Sequence, residues 1–286
     1  MDLSIITVTW NAEKEIGRQI KSVISGCKNI SFEQIIIDNA SKDKTIEIIE
    51  QDFSQVKLIK NNKNTGFGFP NNQGAKISTG EFLLFLNPDM QVKEGSLDKM
   101  VEWMRKHPEV GLASCKLIDE QGNFNVEARP RRFPKVWEML VLIFKIPHLL
   151  PQILNNYYMK DFDSNKEQEV PSVRGSFMMM RREVYEKLGW AFDPRYFIWF
   201  EDVDICREVW QAGYKVVYTP IVSCVDFIGQ SFKKRANYWK QKNFTCSMLT
   251  YFQKWEPWYK WIWIAIARPF GLVLAWINDK ISNLSG

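Results

Sequence analysis

The chain has 286 residues, 45% of them hydrophobic and 25% charged, which excludes a disordered protein and suits one large α/β domain with or without an appendage. Its net charge of +5 is too mild to imply a nucleic-acid partner. Cys27, Cys115, Cys206, Cys224 and Cys246 form no C-x-x-C pair and the chain has only two histidines, so neither a disulfide framework nor a typical zinc site is expected, and a reducing cytoplasm is.

Residues 1–6 lack a basic stretch and read as the start of a strand over 3–9, so no signal peptide is expected. Apolar residues at helical spacing over 13–25 and a buried strand at 34–37 make a β-α-β start. Asp38-Asn39-Ala40-Ser41 ends that strand and starts a helix over 44–52, and a third strand follows at 56–60. This alternation predicts a Rossmann-like, mostly parallel sheet flanked by helices. A polar loop at 61–69 leads into a helix near 70–75, and the apolar run Phe82-Leu83-Leu84-Phe85-Leu86 then meets Asn87-Pro88-Asp89. Pro88 cannot donate to a ladder, so pairing should stop there and leave Asp89 at the carboxyl end of the sheet, where open α/β sheets bind ligands.

A helix at 96–106, a strand at 110–117 and a turn at 119–123 come next, followed by an aromatic, Leu- and Ile-rich segment at 131–158 of unclear form. Strand character resumes at 173–180, a helix at 182–188, and an acidic cluster, Glu201-Asp202-Val203-Asp204, follows the aromatic run Phe197-Ile198-Trp199-Phe200. After a short strand at 216–218, residues 238–281 are helical in pattern and hold six of the twelve Trp. Lys233, Lys234, Arg235, Lys240 and Lys242, interleaved with Tyr238 and Trp239, suit an anionic or phosphate-bearing partner. In the tail, Trp and Tyr mixed with Lys254, Lys260 and Arg268 suit a bilayer interface. The apolar stretch 261–277 carries Arg268-Pro269 at its middle and is shorter than the roughly 20 residues a spanning helix needs.

Three carboxylate sites end or follow strands: Asp38, Asp89 and the 201–204 group. In a shared cleft, one carboxylate accepts from a nucleobase N–H, one holds a divalent ion against a sugar nucleotide's diphosphate, and one removes a proton from an attacking hydroxyl. Asp38, Asp89 and Asp202 suit these roles in turn, with Glu201 and Asp204 positioning Asp202 and raising a proton affinity by charge repulsion. Each also has a structural reading: Asp38 as a helix cap, Asp89 as a turn residue, the 201–204 group as a solvated helix start.

Taken in order, Thr7-Val8-Thr9-Trp10-Asn11, Ile37-Asp38-Asn39-Ala40-Ser41, Asn64-Thr65-Gly66-Phe67-Gly68, Leu86-Asn87-Pro88-Asp89, Gly175-Ser176-Phe177-Met178 and the stretch from Phe192-Asp193 to Asp204 resemble family 2 glycosyltransferases, the rhamnosyltransferase-like members in particular. The resemblance covers about residues 2–235. It implies a GT-A fold over 1–235, with nucleotide-sugar binding in about 1–110 and acceptor binding in about 111–235; residues 236–286, outside the resemblance, read from their own pattern as an aromatic-rich helical tail at a membrane. It implies donor contacts from Thr9, Trp10, Asn11, Asp38, Asn64, Gly66, Phe67, Asn72, Asn87 and Gly175, whose missing Cβ permits close backbone approach. Asp89 is similar to the last residue of a metal-binding D-x-D motif for Mg2+ or Mn2+, and Asp202 matches the base, with Glu201 beside it. Two departures stand out: Asn87 replaces the first aspartate, and Asp226 in Asp226-Phe227-Ile228-Gly229-Gln230-Ser231 stands where the family often carries His.

The expected activity is inverting transfer of a sugar, rhamnose from dTDP-rhamnose or a sugar from UDP, to a saccharide on a polyprenyl diphosphate at the cytoplasmic face of the cell membrane, in cell-surface polysaccharide synthesis. A sugar nucleotidyltransferase shares the layout but should carry a Gly-rich, Arg-containing loop where this chain reads Thr9-Trp10-Asn11-Ala12-Glu13. A non-catalytic membrane scaffold should have lost the carboxylates, and Asp38, Asp89 and Asp202 are present.

Overall fold

Runs of aliphatic and β-branched side chains form β1 (Leu3–Thr9), β2 (Phe32–Asp38), β3 (Lys57–Lys60) and β4 (Phe82–Leu86), which pair in parallel in the order β3-β2-β1-β4. The computed structural model describes residues 1–227 and 236–284, so Ile228 to Ser231 and the expected basic residues Lys233, Lys234 and Arg235 lie outside the described residues. Helices α1 (Ile16–Gly26), α2 (Thr45–Asp52) and α3 (Gly68–Ile77) link these strands. Alternate β4 residues feed two cores: Phe82, Leu84 and Leu86 pack with Val23, and with Leu97 and Met100 of α4 (Ser96–Lys106). Leu83 and Phe85 face Ala75, Phe192, Ile205 and Val209. Burial on both faces explains why β4 is apolar throughout rather than alternating.

The sheet changes character beyond β4. Strand β8 (Phe177–Arg181) pairs antiparallel with both β4 and β6 (Val110–Ile118), and β6 runs parallel to β9 (Lys215–Asp226). The short strand read at 216–218 is the start of this 12-residue β9, whose register against β6 shifts between Cys115 and Lys116. Pairing also resumes after Asn87-Pro88-Asp89, in β5 (Met90–Val92), antiparallel to β9 with Met90 opposite Asp226. Strand β7 (Gln168–Glu169) closes on β9. All five cysteines are free thiols.

The unclear segment resolves into α5 (Val136–Ile143) and single-turn 3-10 helices. After α6 (Arg182–Leu188) and α7 (Glu201–Gln211), the tail folds as α8 (Asn237–Trp255) and α9 (Trp258–Leu284). Met139 and Ile143 of α5, Phe200, Met248, Tyr251 and Phe252 of α8, and Ile264 and Ala267 of α9 make a third core. Helix α9 runs through Pro269 and is longer than the expected 17-residue run, and by length and composition 24 of its residues, Trp258–Ile281, could cross a membrane. Its inner stripe is nevertheless taken up by protein: Ile264, Ala267 and Ala275 are buried, and a Cβ on Gly271 would come within 2.8 Å of Ile143 Cγ2. Asp279 accepts hydrogen bonds from the backbone N–H of Asn237 and Tyr238 (2.9 and 2.8 Å) and so caps α8. The opposite face leaves Trp263, Phe270 and Trp276 more than half exposed.

Candidate active site

The carboxyl ends of the parallel strands open onto a cavity of about 390 Å³. Thr9, Trp10, Asn64, Gly66, Phe67, Asn87 and Asp89 line it. Gly66 has φ +89°, and a Cβ there would sit 2.1 Å from the Phe197 carbonyl oxygen, which accepts from Phe67 N–H at 2.8 Å. The loop before α3 is thereby laid against the aromatic run that precedes α7.

Asp38 is fully buried and does not reach the open wall. Its Oδ2 accepts from Ser41 N–H at 2.9 Å, the local turn role, while its Oδ1 and the Thr9 hydroxyl opposite it in the ladder have no hydrogen-bond partner. Two adjacent buried polar atoms without partners are what a ligand hydrogen bond would satisfy. Asn39, absent from the expected contacts although it lies within the segment Ile37 to Ser41, takes the wall position instead. Its Nδ2 donates to Gly66 O and Asn64 Oδ1 (2.8 and 3.1 Å) and its Oδ1 accepts from Thr65 N–H at 3.0 Å.

Two expected donor contacts lie elsewhere. Asn11 is exposed at φ 53°, accepting from Lys42 N–H and donating its own N–H to Ser41 Oγ, both at 2.8 Å, and so joins two strand-end turns. Asn72 accepts from Ala191 and Phe192 N–H (3.0 Å each) and donates to Phe192 O at 2.6 Å, clamping α3 to the chain before α7. Each is bonded to backbone groups of a distant segment, and neither lines the cavity.

The antiparallel β5–β9 pairing carries Asp226 to the same wall as Asp89, where it accepts from Asn125 Nδ2 at 3.1 Å. Burial, and then the Asp226 carboxylate, push the Asp89 carboxyl up to about 6. No group of three or more His, Cys, Asp or Glu suited to a metal occurs among the described residues, so the two carboxylates stand as a pair. Asp226 supplies the second anionic group that Asn87 does not.

A smaller cavity of about 160 Å³ adjoins the first and shares Phe67, Asn87, Arg174, Ser176 and Ile198 with it. Here Asp202 stands at the first turn of α7, its Oδ2 accepting from Gly175 N–H at 3.2 Å and its Oδ1 from Val203 N–H at 2.8 Å. A Cβ on Gly175 would make only ordinary contacts with Asp202 and Phe67 (3.5 and 3.7 Å), so what Gly175 contributes here is its N–H. Glu201 is buried behind Asp202 with Oε2 unpartnered, and burial, then the Asp202 charge, hold its carboxyl well above the usual range. Burial thus favours the protonated form of Glu201. Arg131 and Arg174 complete this wall; burial and then Arg131 push Arg174 below its ordinary value.

Asp204 does not position Asp202, contrary to expectation. It points the other way, accepting from Lys254 Nζ and Trp255 Nε1 (2.6 Å each), and Lys254 also meets Glu208 at 2.6 Å and Asp193 at 3.3 Å. Burial pushes Asp204 up to about 6 despite these partners. Trp199 and Phe200, both non-glycine at positive φ (65° and 70°), immediately precede Glu201. Helix α8 restrains them: Ser247 Oγ donates to Ile198 O at 2.7 Å, and the Phe200 ring packs on Phe244 and Tyr251 at 5.4 and 5.5 Å. Trp239 and Phe244 themselves line the two cavities, so residues on both sides of the expected division at 235 build one cleft.

A parallel half joined to an antiparallel half, with carboxylates meeting at the strand ends, defines a glycosyltransferase of the GT-A fold. The chain belongs to glycosyl transferase family 2, whose model matches residues 4–189. It is 24% identical over 229 residues to the N-acetylglucosaminyl-diphospho-decaprenol L-rhamnosyltransferase of Mycobacterium tuberculosis, covering 76% of this chain and 73% of that one. Among solved structures it is similar to GalNAc-T7 with UDP, GalNAc and Mn2+ (TM-score 0.64, 19% identity, 91% of this chain and 49% of that one). It is also similar to the mannosyltransferase PcManGT from Pyrobaculum calidifontis in complex with GDP-Man and Mn2+ (TM-score 0.58, 18% identity, 99% and 75%).

Proposed function

We propose that the chain is an inverting glycosyltransferase that moves rhamnose from dTDP-rhamnose to a saccharide carried on a polyprenyl diphosphate, working at the cytoplasmic surface of the cell membrane in cell-surface polysaccharide synthesis. The observation that carries this reading is the convergence of Thr9, the Asp89–Asp226 pair and Asp202 on two adjoining cavities, with Asp38 buried directly behind Thr9. The nucleoside lies along Thr9, Trp10 and Asn39, and its base N–H satisfies the unpartnered Asp38 Oδ1. Asp202 removes the acceptor hydroxyl proton as that oxygen bonds to the anomeric carbon. The bond from that carbon to the diphosphate oxygen breaks on the opposite face, and its electron pair leaves with the nucleotide.

Asp89 and Asp226 fit a divalent ion, Mg2+ or Mn2+, because two carboxylates sharing one half-buried wall repel until a cation relieves them. A divalent ion held by these two carboxylates would supply positive charge to neutralise the departing diphosphate. The exposed face of α9 suits a bilayer interface, with Trp263, Phe270 and Trp276 as its anchors.

Release of nucleotide from a panel of dTDP- and UDP-sugars with Mn2+ tests the reading, and rhamnose transfer from dTDP-rhamnose is expected. No turnover with any donor, together with no loss in Asp202→Asn, would instead mark a non-catalytic scaffold. A Trp263→Ser/Phe270→Ser/Trp276→Ser variant changes only exposed side chains and is expected to stop floating with anionic liposomes. Flotation equal to wild type removes the membrane part of the proposal.

A further inference from the structure

The cavity holding Asp202 is also walled by Arg129 and Arg131, and both residues continue into a neighbouring cavity of about 530 Å³ lined by Val126, Glu127, Arg129, Arg131, Tyr158 and Lys160. That second cavity carries three cations against a single carboxylate. Glu127 is shared with the donor cavity, whereas Asp89 and Asp226 do not line this one.

These cations differ from those elsewhere in the fold whose charge is answered by carboxylates. Arg105, Arg195 and Lys254, for example, each hold one or more carboxylates. Arg129 and Lys160 make no ion pair among the described residues, and the Arg129 Nε is buried without a hydrogen-bond partner. Arg131 forms no ion pair among the described residues, although against burial the nearby tyrosines and then the Asp202 carboxylate favour its charged form, and it is held in place. Its backbone N–H donates to Ser172 O at 3.2 Å, its own carbonyl accepts from Ser172 Oγ at 2.8 Å, and its guanidinium lies over the Tyr158 and Tyr157 rings at 5.3 and 5.9 Å. A pre-positioned guanidinium beside a second one with a buried free donor is the arrangement that captures phosphate oxygens, since the planar fork matches their geometry.

We propose that Arg129, Arg131 and Lys160 form an acceptor-side subsite for a diphosphate ester, and that its natural occupant is the diphosphate linking the acceptor saccharide to its lipid. This rests on the reading of the chain as a transferase acting on a lipid-linked saccharide. Holding the acceptor by its diphosphate in the cavity next to Asp202 directs the saccharide toward the base. The donor's own diphosphate stays with Asp89, Asp226 and Arg174 on the other side of the shared wall. The segment carrying Tyr157 to Lys160 follows directly from α5 through Leu149 and Leu150, which are 83% and 59% exposed, so the subsite and exposed apolar side chains lie on one continuous stretch of chain.

The test is calorimetric titration of the full-length protein in EDTA with two probes, geranyl diphosphate and UDP. Wild type is expected to bind geranyl diphosphate without metal, and Arg129→Gln/Lys160→Gln to weaken it by about tenfold or more while leaving UDP binding unchanged. Asp89→Asn is expected to leave geranyl diphosphate binding intact. Undiminished binding in Arg129→Gln/Lys160→Gln overturns the subsite, as does loss of UDP rather than geranyl diphosphate, which would assign these cations to the donor. An Arg129→Lys variant that restores binding shows that charge, not altered folding, is responsible; equal melting temperatures of all variants are checked alongside. Failure of wild type to turn over any donor sugar would remove the functional reading without touching this binding result, so the two can fail separately.

Discussion

The donor half and the acceptor half of this cleft are built by different means. On the donor side, Thr9, Asp38 and Asp89 are where strands β1, β2 and β4 end, so chain order alone delivers them to one edge. On the acceptor side, Asp202 sits at a helix start reached through two left-handed residues, and a helix some 45 residues further on holds that turn in place. A regular sheet thus positions the nucleotide, while a strained turn clamped from outside positions the base. The acceptor half should therefore be the more fragile, and substitutions far from Asp202 in sequence should damage it while sparing nucleotide binding.

The largest effect is expected from Asp202→Asn, a loss of about 10²- to 10⁴-fold in kcat with UDP or dTDP affinity unchanged, read by steady-state kinetics and calorimetry. Weakened nucleotide binding in that variant would break the separation of the two halves. Next comes Lys254→Met, which strips the shared cation from buried Asp204 and from Asp193 and Glu208, and should lower stability by about 3 kcal/mol in a denaturant titration. An unchanged midpoint would mean that α8 is not what holds the acceptor half. Asp226→Asn should raise the half-saturating Mn2+ concentration about tenfold with little change at saturating metal, and Asp226→His should recover most of it. If Mn2+ activation is indifferent to Asp226, the carboxylate pair is not the metal site.

The smallest effect sharpens the division of labour between the two acidic neighbours. Glu201 has its folded proton affinity raised above the ordinary 4.5, so its ionisation costs stability as pH rises, and that cost is absent below the unfolded value. Glu201→Gln removes the ionisable group: its Tm should match wild type below about pH 4.5 and exceed it at alkaline pH. Activity at neutral pH should fall only slightly, because glutamine resembles the protonated acid. A large loss at neutral pH would make Glu201, rather than Asp202, the working base.

Much of the parallel half was legible because its signals are local. Apolar runs of strand length, Asp38 before a helix start and Pro88 after a buried strand each report on their own neighbourhood. The same locality hid Asn39, whose place on the wall appears only once the Asn64 to Phe67 loop folds over it, and it gave no sign that Asn11 and Asn72 bond to backbone groups of distant segments. The cations of the 129–160 stretch were likewise invisible as a group within a segment whose form the sequence left unclear.

What the sequence by itself determined is the family, the order of elements and the identity of the carboxylates at the strand ends, because periodicity and motif order are properties of the chain. What only the tertiary structure decided is who stands next to whom across long loops. The β5–β9 pairing brings Asp226 to Asp89, Lys254 draws Asp204 away from Asp202, and α8 becomes a wall of the cleft rather than a detached tail. Each of these depends on packing between residues far apart in the chain, 49 positions for Ser247 and Ile198 and 50 for Lys254 and Asp204, for which a single sequence carries no local signal.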